Sequence, residues 1–235
     1  MAEAMILSGA GRYADPWHPY AATSEALAGI LEQAGYGVRI DDDVDRALAR
    51  IGDAELLVVN AGDPWRSTAD GGPERPEAPA PAVLEAAADG LDEALERGIG
   101  ILAVHAAVAS LRDYPAFAGM LGAEWVPDAS MHPPIGETVV HVHGNHPIAA
   151  GGDFTVFDER YSHLHLLDTI EPIADHEHDG VRHPLVWARE SGRSRLVYDA
   201  LGHDARSYES AGHRALLERA VAWLAIVQRT PADAA

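Results

Sequence analysis

The amino-terminal half of the chain alternates short, wholly apolar runs with segments whose apolar residues recur at helical spacing. Met5 to Ser8 reads as a buried strand. After a glycine-containing turn, Leu27, Ile30, Leu31 and Ala34 share one face of a helix from about Pro19 to Ala34, which Gly35 and Gly37 end. Val38 to Ile40 is a second strand, and Val44, Leu48 and Ile51 mark a short helix. Leu56 to Asn60 is a third strand, apolar throughout as expected when both faces are covered. Residues 62–81, rich in Pro, Gly and charge, form a loop ahead of an amphipathic helix from about Pro81 to Arg97, capped by Gly98. Gly100 to Val104 supplies a fourth strand. This rhythm predicts an α/β fold with an open, mostly parallel, doubly wound sheet, whose ligands bind beyond the carboxyl ends of the strands.

The second half is less regular. Strand candidates are Thr138 to His143, Phe154 to Phe157, Leu185 to Ala188 and Leu196 to Tyr198. A last helix runs from about Gly212 to Gln228, with Leu216, Leu217, Ala220, Val221 and Leu224 facing the sheet, and Thr230 to Ala235 should fray. There is no internal repeat, and residues 1–235 read as a single domain.

Composition narrows the function. The chain of 235 residues is 47% apolar and 23% charged, enough for a sizeable core. A formal charge of −20 with no basic cluster argues against nucleic acid as a partner. No apolar run reaches the length of a spanning helix, and the amino-terminal segment has no basic region, so no membrane association and a cytoplasmic location are expected. With no cysteine and thirteen histidines, any metal must be held by imidazole and carboxylate.

The candidate centre is Gly98-Ile-Gly-Ile-Leu-Ala-Val-His105-Ala-Ala, a buried strand run straight into a histidine followed by small residues. That is the layout of a strand-to-helix elbow, which strains its central residue and presents it at the sheet edge. His105 is placed there as a general base or metal ligand; the alternative is a buried histidine bonded to a carbonyl.

Several segments, in this order, resemble the trehalose-utilisation (ThuA-like) family. They are the elbow through His105, Tyr114-Pro with Phe117-x-Gly119, Asn145-His146-Pro-Ile-x-x-Gly151, Phe157-Asp-Glu159-x-Tyr161, Pro184-Leu-Val-Trp187, and Arg195-Leu-Val-Tyr-x-x-Leu201-Gly-His203. The resemblance covers nearly the whole chain. It implies a flavodoxin-like, class I glutamine amidotransferase-like fold, with helices on both sheet faces, and a link to sugar metabolism. In that superfamily the elbow ends in a nucleophilic cysteine, which this chain lacks, so the glutaminase reaction is excluded. The His-rich stretch Ser162-His163-Leu-His165 departs from the family's usual pattern.

His203 follows a late strand and, in the amidotransferase-like layout, approaches the elbow. Glu159 and Tyr161 share a side if extended, offering a carboxylate and a phenol, whereas Asp158 reads as a salt-bridged loop residue. Backbone amides at Gly62 and Ala106 are candidates for an oxyanion pair. His18 follows the first strand, with Trp17 as an apolar platform for a sugar ring, and His132 lies in a proline-rich loop. The catalytic set is thus His105, His203 and Glu159, with Trp17, His18, Gly62, Ala106, Tyr161 and His132 binding substrate. A zinc-like divalent ion, if bound, would be held by His105, His203, Glu159 and His18.

Two features invite other readings. His141/His143, His163/His165 and His176/His178 would each share a face on a strand, but none has a third ligand nearby, and His176/His178 lies in an acidic, solvent-facing loop. Gly9-Ala-Gly11-Arg-Tyr-Ala14 with Asp41 matches a dinucleotide fingerprint, yet Asp15-Pro16-Trp17-His18-Pro19 postpones the helix that would meet the pyrophosphate. Nicotinamide oxidoreduction therefore ranks last. The expected function is acid–base chemistry, metal-assisted or not, on a small-molecule sugar or keto-sugar, by a hydrolase or isomerase that is a monomer or a homo-oligomer. The competing class is a non-catalytic sugar-binding or assembly module on the same scaffold.

Overall fold

The structure is a computed structural model that describes residues 1–67 and 76–225. The expected last turn of the final helix up to Gln228, the tail from Thr230 and part of the 62–81 loop lie outside the described residues. The strands are β1 (Glu3–Ser8), β2 (Gly37–Asp41), β3 (Leu56–Asn60), β4 (Gly100–Val104), β5 (Ala123–Glu124), β6 (Gly136–Val142), β7 (Phe154–Asp158), β8 (His165–Leu166), β9 (Pro172–His178), β10 (Val181–Ser191) and β11 (Ser194–Asp199). The helices are α1 (Tyr20–Gln33), α2 (Val44–Leu48), α3 (Pro81–Arg97), α4 (Pro115–Leu121) and α5 (Ala211–Ala225).

Nine strands form one sheet in the order β2-β1-β3-β4-β11-β10-β9-β6-β7. Pairings from β2 through β11 are parallel, and those from β11 through β7 are antiparallel. The chain steps one way from β1 to β2, then back past β1 to β3 and β4. Right-handed crossovers therefore put α1 on one face and α2 and α3 on the other. The packing agrees, with α2 against α3 and α1 against α5.

Leu56, Leu57, Val58 and Val59 of β3 and Ile101, Leu102, Ala103 and Val104 of β4 are buried because helices cover both faces. Burying each large aliphatic side chain stabilises the fold by about 1.5–3 kcal/mol. Gly98, at φ 98, takes the left-handed position that ends α3 and turns the chain into β4. No described helix is long and apolar enough to cross a membrane.

The antiparallel half corrects two expectations. His176 and His178 do not lie in a solvent-facing loop. They end β9, and His176 is fully buried opposite His183 of β10. Nor do His163 and His165 share a strand, since His163 precedes β8 in a bend at φ 57.

Candidate functional site

The parallel strands β1, β3, β4 and β11 release the chain at one edge of the sheet, where open α/β folds collect their ligand-binding residues. His105 is the first residue after β4, at φ 47, so the expected elbow strain is present. Its Nδ1 is 2.7 Å from the carbonyl oxygen of Ala200. A carbonyl only accepts, so Nδ1 donates and Nε2 is the nitrogen left to face the centre. That Nε2 is buried, has no hydrogen-bond partner, and lies 3.5 Å from Glu159 Oε2.

His18 is oriented by the turn after β1. Asp15 Oδ1 accepts from the backbone N–H of Trp17 and of His18, both at 2.9 Å. The same carboxylate lies 2.7–2.8 Å from His18 Nδ1, and Tyr20 Oη donates to it at 2.6 Å. Burial pushes the Asp15 carboxyl up, but the His18 and Tyr20 bonds outweigh it and hold it at about 2. His18 Nε2 is left without a partner, and burial together with the neighbouring His105 and His203 lowers the imidazole's affinity for a proton despite Asp15.

Glu159 and His203 are held by a shared clamp. Asp158, fully buried at the end of β7, accepts from the backbone N–H of Gly202 at 2.7 Å, His203 at 3.1 Å and Glu159 at 2.8 Å. Gly202 sits at φ 107, and a Cβ there would stand 2.5 Å from Tyr208 Oη, so the position needs glycine. Glu159 Oε2 lies 3.2 Å from His203 Nδ1. Burial opposes charge on Glu159, yet His105 and His203 hold its carboxyl well below the usual range. Burial likewise opposes charge on His203, and Glu159 more than reverses it.

The result is a compact centre. Ring centroids of His18, His105 and His203 are 4.9–5.4 Å apart, and with Glu159 each residue offers one donor atom, all within 4.8 Å of one another. The Tyr161 ring packs 4.2 Å from His105, and Trp125 lies 4.8 Å beyond it. Tyr161 is buried, so it walls the centre. His132 Nδ1, on a partly exposed side chain, is 3.5 Å from Glu159 Oε1. Trp17 is 48% exposed, with the Arg66 guanidinium 5.7 Å over its ring.

The structure thus brings together His18, His105, Glu159 and His203, with His132 and Tyr161 beside them. Gly62 does not join: its amide donates to Tyr13 O at 2.9 Å, so it is not an oxyanion donor. Its lack of a side chain serves packing, since a Cβ would meet Tyr20 Oη at 2.5 Å. Ala106 is the second residue of a 3-10 turn, where helical amides lack an intrahelical acceptor. Gly11 to Tyr13 form another 3-10 turn whose Arg12 and Tyr13 are buried against Asp45, and α1 opens only at Tyr20. Asp41 faces Arg50 at 3.5 Å. His141, His143 and His165 each pair with a carboxylate of their own. Sequence reasoning missed Asp15 as orienting group, Trp125, and the role of Asp158. An aspartate three residues ahead of a candidate histidine in a turn was the available signal for Asp15.

A family model described as trehalose utilisation (ThuA) matches residues 6–224. The fold is the glutamine amidotransferase-like one, and the chain belongs to the trehalose-utilisation (ThuA) family. A protein described as ThuA-like from Parabacteroides merdae is 18% identical, with a TM-score of 0.74, over 97% of this chain and 91% of that one. Another described as ThuA-like, from Bacteroides uniformis, is 16% identical with a TM-score of 0.68, over 95% and 91%. A protein from Thermoplasma acidophilum, described as one of the subunits of a GMP synthase, is 14% identical with a TM-score of 0.56, over 96% and 95%. No curated protein matches the chain.

Proposed function

We propose that this protein is an enzyme of carbohydrate utilisation that acts on a sugar or keto-sugar derivative at the His18–His105–Glu159–His203 centre, without glutaminase activity. One observation carries this reading. Three imidazoles converge on one carboxylate at the carboxyl edge of the sheet, and His18 Nε2, His105 Nε2 and His203 Nδ1 are buried without hydrogen-bond partners. Each orphaned buried polar group costs about 1–3 kcal/mol. A fold carries such a cost where substrate or cofactor relieves it.

The family's description supplies the substrate class, and the site suits it. The exposed Trp17 ring and the partly exposed Trp125 ring offer apolar faces of the kind sugar rings stack on, and the centre offers groups that take or give protons at a hydroxyl or beside a carbonyl. Glu159 is held ionised and His203 retains its proton more readily than a free imidazole, which separates acid from base within one centre.

The test is incubation with a panel of free sugars, glycosides including trehalose, and their oxidised keto derivatives, followed by NMR. We expect one class to be turned over, with Glu159→Gln lowering kcat by about 10²–10⁴-fold. Saturable sugar binding with no turnover anywhere in the panel would replace the enzyme with a sugar-binding module.

A further inference from the structure

We propose that His18, His105, Glu159 and His203 form a binding site for one divalent first-row transition-metal cation. The inference deepens the proposed function and rests on the same centre, but its evidence is independent of any sugar.

The donors are aimed. Metal-binding histidines usually give their second nitrogen to a carboxylate or a carbonyl, which fixes the tautomer and turns the lone pair toward the ion. His18 is held in this way by Asp15 at 2.7 Å and His105 by Ala200 O at 2.7 Å, and in both it is the opposite nitrogen, Nε2, that is buried and unpartnered. The third nitrogen, His203 Nδ1, is also unpartnered by hydrogen-bond geometry although Glu159 Oε2 is 3.2 Å away. Ligand atoms at about 2.0–2.1 Å from a shared ion stand about 3.4 Å apart in a tetrahedron. The separations of 3.2 and 3.5 Å from Glu159 Oε2 to His203 and His105 match that spacing.

Three imidazoles and one carboxylate suit zinc, iron, cobalt, nickel or manganese and not the hard, oxygen-seeking calcium or magnesium. Among the described residues this is the one group of three or more such donors that converges. A bound ion would act as a Lewis acid toward a sugar hydroxyl or carbonyl oxygen. With three imidazoles committed to the ion, His132, partly exposed and 3.5 Å from Glu159, is the imidazole left at the centre to move a proton.

The experiment uses the full chain, stripped by chelator and titrated calorimetrically with Zn²⁺, Co²⁺ and Mn²⁺, with the visible spectrum of the Co²⁺ form recorded. We expect one ion per chain. His18→Ala and His105→Asn should each weaken binding by at least about 100-fold; asparagine keeps a donor for Ala200 O and tolerates a positive φ. Binding that survives both substitutions, or no stoichiometric binding by the wild type, overturns the site. Stoichiometric binding abolished by both substitutions, with no sugar turned over, upholds the ion and removes the enzyme. Full sugar turnover by the stripped protein overturns the ion and leaves the enzyme standing.

Discussion

Tyr161 touches two groups of three histidines, and they are built differently. Its ring packs 4.2 Å from His105 of the first group, while its carbonyl receives His176 Nε2 of the second at 3.2 Å. The first group is drawn from three separate strand ends, and each imidazole lies near a carboxylate. The second, His163, His176 and His183, comes from β9, β10 and the bend before β8, with His176 and His183 directly opposed across the sheet. It lies beside a cavity of about 50 Å³ lined by Tyr161, His163 and His183, and among the described residues no carboxylate joins it to make a converging donor set. Buried and touching histidines are thus not enough to make a centre. What distinguishes the first group is its carboxylate: Glu159 lies 3.2 and 3.5 Å from two of the imidazoles, and one donor atom from each of the four residues converges.

The largest expected effect breaks the first group at its clamp. Asp158→Asn replaces an acceptor of three backbone N–H groups by an amide that cannot accept all three. We expect a loss of about 1–3 kcal/mol in denaturant unfolding, and a cation affinity about 10–100-fold weaker in the folded protein. A variant that loses stability but titrates like the wild type would show that Asp158 serves the fold alone.

The parallel half was legible because burial on both faces leaves continuous apolar runs, and β3 appears at the predicted Leu56–Asn60. Its strand ends also pointed to the centre, since His18, His105 and His203 each follow one. β9 was missed because Asp175 and His176 are buried polar residues, held by Arg182, His143 and Tyr161 O, and their pattern reads as a loop. The two-residue strands β5 and β8 carry no period at all. Asp158 looks like a loop carboxylate in the sequence because the amides it binds, at Gly202 and His203, lie far along the chain. Gly62 misleads for a related reason: Tyr13, whose carbonyl takes its amide, lies far back along the chain.

The second group is expected to act on stability and not on the cation. Burial lowers the His176 pKa from 6.5 to about 4, against the bond to Tyr161 O. The native state therefore binds fewer protons than the unfolded chain between those values. Its contribution to stability is present above pH 6.5 and lost progressively as pH falls to about 4. His176→Gln keeps an N–H donor and removes the titration. Its stability should fall less steeply than the wild type's across that window, while cation binding is unchanged. Parallel curves would mean that His176 is not held neutral.

The smallest effect sharpens the comparison further. His183 Nδ1 accepts from the backbone N–H of His163 at 3.3 Å, and its Nε2 is buried without a partner. Asparagine at this position offers an oxygen to the same N–H and discards the unpartnered nitrogen. The two changes oppose each other, because the lost packing costs stability and the removed orphan restores some. We expect His183→Asn to shift unfolding by no more than about 1 kcal/mol, with one cation still bound per chain. If the substitution instead lowers the number of ions bound, the second group is also a metal site, and a converging carboxylate is not what separates the two.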